Sequence, residues 1–160
     1  MSPIACPYGG DLIDPLIVPQ PMLSYSESFE GSPSLAAWSH PDHSHAAWSI
    51  DSGTAYTGSA SFKAGTIGNS ESSITRFRAF FPAGDLSFYA RVDDDNCCDR
   101  LSVYIDGVQV FWTFGQFNWT RFSTPIEEGL HDIEWRYEKN SYGAQVTDAA
   151  WIDDVTFVAH

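Results

Sequence analysis

The chain has 160 residues, 43% hydrophobic and 15% aromatic, with eight basic residues against 21 acidic ones and a formal net charge of −13. That length fits one domain able to bury about two thirds of its unfolded surface, and so apolar a chain is not a disordered one. The charge excludes a nucleic-acid binder, which needs a positive footprint for phosphates, and no apolar run reaches the roughly 18 residues of a membrane-spanning helix.

Residues 1–22 carry Pro3, Pro7, Pro15, Pro19 and Pro21 with Gly9 and Gly10. Proline removes backbone donors and fixes φ, so this stretch reads as an extended arm. Its apolar run DLIDPLIVP predicts an arm laid on the domain or on a neighbour, which is a route to self-assembly. MSPIACPYGG shows neither a basic n-region nor an apolar h-region, so no secretory signal is visible. The chain is then either a module cut from a longer secreted protein or one that travels without such a signal, as a virion component does.

Residues 23–160 follow a period of two. YSESFE, AAWSID, SASFKAG and SSITRFRAF are the first strand-like runs. DLSFYARV sets Leu86, Phe88, Ala90 and Val92 on one face, and RLSVYIDG sets Leu101, Val103 and Ile105 inward before Asp106-Gly107, a hairpin signal. WTRFSTPI follows, then HDIEWRYEK with Ile133, Trp135 and Tyr137 inward, and AWIDDVTFV closes the chain. No segment shows the helical period. Many short strands with Gly, Pro and Asp turns predict an all-β fold, a two-sheet antiparallel jelly-roll sandwich with an extended N-terminal arm.

SFEG, WSIDSGTAYTGSASFKAG, LSFYARVDDDNCCDRLSVYIDG, GLHDIEWRYEKN and DAAWIDDVTF occur in that order. Together they resemble the bacterial jelly-roll modules related to MAM domains and to the cleaved-adhesin domains of secreted peptidases, over roughly Ser26 to Phe157. The resemblance implies a concanavalin-like sandwich at a cell surface or outside the cell, acting as an adhesion module on a polysaccharide or a surface protein, and it does not imply catalysis. The proline-rich arm and the aromatic filling of residues 111–117 lie outside it.

In AWIDDVTFV, alternation places Asp153 with Trp151, Val155 and Phe157, and Asp154 with Ile152, Thr156 and Val158, so one carboxylate faces an apolar layer. A buried charge needs a cation or a set of donors. The resemblance implies a structural Ca²⁺ between a Glu of the first strand and an Asp of the last, matched here by Glu30 and Asp153, with Asp154 the alternative. Backbone carbonyls or waters would complete the six to eight oxygens that Ca²⁺ takes. A salt bridge or hydrogen bonds to backbone amides would serve the same carboxylates without an ion.

DDDNCCDR holds a second acidic cluster, Asp93, Asp94, Asp95 and Asp99, read as a solvated turn or a weaker Ca²⁺ site; it lacks the glycine and closing Glu of an EF-hand. His40, Asp42, His43 and His45 lie in one polar loop with no partner of matched spacing for zinc. Adjacent Cys97 and Cys98 would make a strained bridge, so Cys6 with Cys97 or Cys98 is the expected disulfide, against three free thiols in a reducing compartment.

No G-x-S-x-G, H-E-x-x-H or phosphate-cradling loop appears, so no enzyme is expected. Glu127-Glu128 and Glu134/Glu138 could in principle pair as acid and base, but Glu127 and Glu128 sit before Gly129 at a turn, where acids are ordinary, and His131 reads as a satisfied inner histidine rather than a base. Arg76, Arg78, Arg121 and Arg136 fall outward. The family pattern assigns Trp119 to the core, and alternation places Trp135 and Trp151 on inward faces. Trp112, Phe114 and Phe117 stand apart around Gly115, as ligand-binding rings or as a cap on the sandwich edge. The resulting expectation is a Ca²⁺-stabilised, carbohydrate-binding or adhesion module, with a virion or surface-assembly subunit docked through residues 1–22 as the alternative.

Overall fold

The computed structural model describes residues 23–33, 35–94, 98–145 and 147–160. The arm of residues 1–22, with Cys6, lies outside the described residues, as does Cys97. Eleven strands follow in chain order: β1 Ser24–Glu27, β2 Trp38–Ser39, β3 Ser49–Asp51, β4 Ser61–Lys63, β5 Ser72–Phe81, β6 Gly84–Asp93, β7 Arg100–Ile105, β8 Val108–Phe114, β9 Phe117–Ile126, β10 Gly129–Glu138 and β11 Ala149–Ala159. One sheet has the order β3-β4-β11-β6-β9, with β1 also paired to β11; the other has the order β2-β5-β10-β7-β8. Both sheets are antiparallel and face each other across a single core, the expected all-β sandwich.

The two inner faces come from the alternation in the sequence. Leu86, Phe88, Ala90 and Val92 are buried from β6, Leu101 and Val103 from β7, and Ile133, Trp135 and Tyr137 from β10. Trp38 joins the layers: its ring lies 5.6 Å from Phe29, 5.4 Å from Phe62, 5.1 Å from Phe77 and 5.2 Å from Trp135. Three of these contacts are edge-on, the geometry that aligns ring edges with ring faces. The indole N–H donates to the Tyr25 hydroxyl at 2.9 Å, so burial leaves it satisfied.

Asp106 and Gly107, at φ 52° and 81°, make the tight turn between β7 and β8. The hairpin carries residues 108–114 as a strand, pairing Ser102 with Trp112 and Arg100 with Phe114, where the sequence reads as a turn-rich stretch. Ladder pairing with β7 decides this, since local propensity is a weak prior on an edge strand.

Two bulges invert the faces expected from alternation. In β11 the register against β6 shifts between Asp153 and Thr156, and Asp154 takes φ 46°. Ile152, Val155 and Phe157 therefore join the core, while Asp153 falls on the opposite face from Val155 and Phe157. In β9 the register shifts between the partners of Ala90 and Val92. Phe117 and Phe122 pack on the core, and Trp119, expected inside, lies half-buried and outside the core cluster. One extra residue in a strand moves every later side chain to the other face.

His131 is held between two acceptors. Its Nδ1 lies 2.5 Å from Asp106 Oδ2 and its Nε2 lies 2.8 Å from the Glu127 carbonyl, so the imidazolium donates to both. Burial pushes its pKa down, but the two acceptors outweigh burial and raise it above the usual histidine value.

Two outcomes are expected. Trp38→Ala lowers the unfolding free energy by about 3–5 kcal/mol in urea titrations, from lost burial and the cavity left behind. Because the folded pKa of His131 lies above the unfolded value of about 6.5, its stabilisation is complete below that pH and disappears as pH rises through the folded value. His131→Gln flattens the fall in melting temperature above about pH 6.5.

Candidate functional site

Three places in the sandwich gather functional groups. The first is the segment between β3 and β4. Asp153, fully buried, accepts the N–H groups of Tyr56 and Thr57 at 2.9 and 3.1 Å and that of Asp154 at 2.7 Å. Glu30 accepts the N–H groups of Ser59 and Ala60 at 3.0 and 2.9 Å and the Ser59 hydroxyl at 3.1 Å. Asp154 accepts the Thr57 hydroxyl at 2.7 Å. Residue 30 and the adjacent residues 153 and 154, more than a hundred positions further on, thus grip the loop of residues 54–60.

Local backbone makes the grip. Phe29 at φ 61° buries its ring and turns Glu30 out toward the loop. Gly58, at φ 65°, is required there: a Cβ would meet the Glu30 carboxylate at 2.6 Å. Burial pushes the Asp153 carboxyl up to about 6, against the backbone N–H groups that favour its charged form. The amide-bonded arrangement is therefore present, and it leaves carboxylate lone pairs over, since each carboxylate offers about four acceptor positions. Among the described residues no basic side chain forms an ion pair with Glu30, Asp153 or Asp154. Oxygen ligands without a cationic partner are the kind Ca²⁺ takes, but among the described residues the carboxylates whose oxygens all lie within 4.8 Å of one another are a different group.

The second place is the outer face of the β2-β5-β10-β7-β8 sheet. Trp112 and Phe114 are 52% and 48% exposed and meet edge-on at 4.9 Å. Phe117 does not join them; it packs inward against Phe122 at 6.0 Å, capping the sandwich edge. Across the face run charged ladders: Arg100–Glu138 at 3.0 Å, and Glu134 held between Arg76 at 2.7 Å and Arg136 at 2.6 Å. The Arg136 guanidinium also stacks on Tyr104 at 3.9 Å. Burial raises the Glu134 carboxyl, but the two arginines outweigh it and hold it below its usual range. Such a carboxylate accepts hydrogen bonds and does not deliver a proton, which suits recognition rather than acid catalysis.

The third place corrects the reading of DDDNCCDR as a solvated turn. Asp94 and Asp99 are buried, and they meet Asp148 from just before β11: one carboxylate oxygen of each lies within 4.8 Å of the others, a group that could hold a metal ion. Sequence reasoning missed Asp148; the only signal was its place before the last strand. Burial raises Asp99 to about 6, with the Asn140 N–H opposing. Cys98 is disulfide-bonded, and the other two cysteines lie outside the described residues. His45 bonds only the Ser72 backbone. No histidine joins a metal-ligating group among the described residues.

Trp119 and Trp151, also expected in the core, belong instead with the other outer face. Trp119 lies 6.1 Å from Tyr56, itself stacked on Tyr89 at 3.7 Å. Trp151 is buried beneath Lys63 and Arg91 and donates to Asp51 at 2.8 Å.

No protein-family model and no curated protein matches the chain. Solved structures do. Part of the secreted serine protease VesC from Vibrio cholerae superposes with a TM-score of 0.62 at 16% identity, over 77% of this chain and 25% of that one, so the likeness spans a quarter of VesC. The K2 cleaved adhesin domain of Lys-gingipain gives 0.61 at 17% identity, over 86% of this chain and 98% of that one. The CBM22-1 xylan-binding domain from Paenibacillus barcinonensis Xyn10C gives 0.55 at 12% identity, over 84% and 92%. The expected cleaved-adhesin resemblance therefore holds for the fold, an all-β two-sheet sandwich similar to the jelly rolls of adhesin and carbohydrate-binding modules.

Proposed function

We propose that this chain is a non-catalytic binding module that recognises a polysaccharide on the outer face of its β2-β5-β10-β7-β8 sheet, outside the cell or at a cell surface. One observation carries the reading: Trp112 and Phe114 stand half-exposed and fixed against each other, beside charged side chains already locked in pairs. Flat rings pack against the C–H faces of sugars, and pre-ordered Arg and Glu groups accept and donate to hydroxyls with little entropy left to lose. The likeness to a xylan-binding domain and to an adhesin domain supports the reading. Ca²⁺ held by Glu30 and Asp153, with Asp154 beside them, stabilises the fold from the opposite sheet.

A second reading has its own observation. Leu23 and Val158 are 76% and 61% exposed on adjoining backbone where residues 1–22 enter the domain. That apolar edge suits a structural subunit of a virion or surface assembly docked through the arm.

Native gels cast with soluble polysaccharides, xylan among them, test the first reading. Retardation by one glycan is expected, weakened about tenfold by Trp112→Ala, which corresponds to about 1.4 kcal/mol. No retardation of folded protein, with an oligomer that becomes monomeric when residues 1–22 are removed, selects the second. For the ion, Ca²⁺ is expected to raise the melting temperature of chelator-stripped protein. Asp153→Asn should lessen that rise; an unchanged rise removes Ca²⁺ from this site.

A further inference from the structure

Asp94 follows β6, Asp99 precedes β7 and Asp148 precedes β11, so three strand ends from both sheets converge at one end of the sandwich. Their relative exposures are 2%, 0% and 7%. The compensation they receive can be traced. Lys139 donates to Asp148 and to the Gln145 carbonyl, and both members of that ion pair are buried. The Tyr137 hydroxyl donates to Asp94, and the Asn140 N–H donates to Asp99 Oδ1 at 2.9 Å. Asp99 Oδ2 is buried with no hydrogen-bond partner.

Three buried carboxylates meet here with one ammonium, that of Lys139 in its ion pair with Asp148. All eight lysines and arginines of the chain lie among the described residues, and only Lys139 forms an ion pair here. Arg100, next to Asp99 in sequence, is committed to Glu138. A buried carboxylate oxygen without a donor, as at Asp99 Oδ2, is costly. An orphaned buried carboxylate oxygen beside two more carboxylates is the donor set that a hard cation takes.

We propose that Asp94, Asp99 and Asp148 bind a second Ca²⁺, at a site separate from the loop held by Glu30 and Asp153. Lys139 keeps Asp148 in place. Backbone carbonyls and waters complete its shell. A cavity of about 300 Å³ lined by Cys98, Arg100, Phe114, Glu138, Lys139 and Asn140 gives access beside it. Two further bonds extend its reach: Gly115 N–H donates to the Asp99 carbonyl at 3.1 Å, and the Gln145 N–H donates to Asp148 at 2.7 Å. The ion therefore braces the turn after Phe114 and the segment leading into β11.

Native mass spectrometry of the full chain, stripped with chelator and titrated with Ca²⁺, counts the ions. Two are expected in the wild type, one in Asp153→Asn and one in Asp99→Asn. The Asp153→Asn background leaves this triad intact, so zero ions there overturns the proposal even if Asp99→Asn fails to fold. One ion in the wild type, lost in Asp153→Asn and kept in Asp99→Asn, also overturns it and leaves the Glu30 site standing. One ion lost only in Asp99→Asn sustains it while removing Ca²⁺ from the Glu30 site. A folded Asp99→Asn with unchanged ion count means that Asp94 and Asp99 share a proton instead, and the proposal fails.

Discussion

Burying carboxylates is the constraint around which this sandwich is organised. An ionised group taken out of water must find donors or opposite charge, and each solution here fixes a different part of the fold. Asp153 takes three backbone N–H groups and so pins the loop before β4 to the last strand. Glu134 takes two arginines and so orders the outer face of the other sheet. The Asp94–Asp99–Asp148 group takes Tyr137, Lys139 and a backbone N–H, and closes the end where both sheets meet. An acidic surface keeps a chain soluble; these carboxylates are not surface.

The two outer faces then do different work. On the sheet containing β11, the loop of residues 54–60, Trp151 and the Tyr56–Tyr89 stack cover the strands, so that face is largely committed to structure. On the sheet ending in β8, Trp112 and Phe114 lie along an edge strand beside paired charges and remain half-exposed. A β-sandwich hosts many functions, so the argument for recognition rests on these side chains and not on the architecture.

The proposed Ca²⁺ sites sit at structurally distinct positions, one on the loop of residues 54–60 and one at the strand ends near Phe114. Lys139 and Asn140, which bond Asp148 and Asp99, line the cavity that also reaches Phe114. Under the proposed reading, one ion would hold the fold and the other the end of the proposed binding face.

The sequence by itself determined the fold class, the inner faces of β6, β7 and β10, and the hairpin at Asp106-Gly107, because a period of two and a tight turn are local properties of the chain. It also drew attention to Glu30 and Asp153, and the tertiary structure brings both to one loop. Other features were decided only in three dimensions. The bulges at Asp153–Asp154 and opposite Arg91 are set by pairing with β6, so alternation misplaced Asp153 and the family pattern misplaced Trp119. Phe117 parted from Trp112 and Phe114 because a turn sends it into the other sheet. Asp148 joined Asp94 and Asp99 from about fifty residues away because β11 lies beside β6, and no local pattern encodes which strands become neighbours.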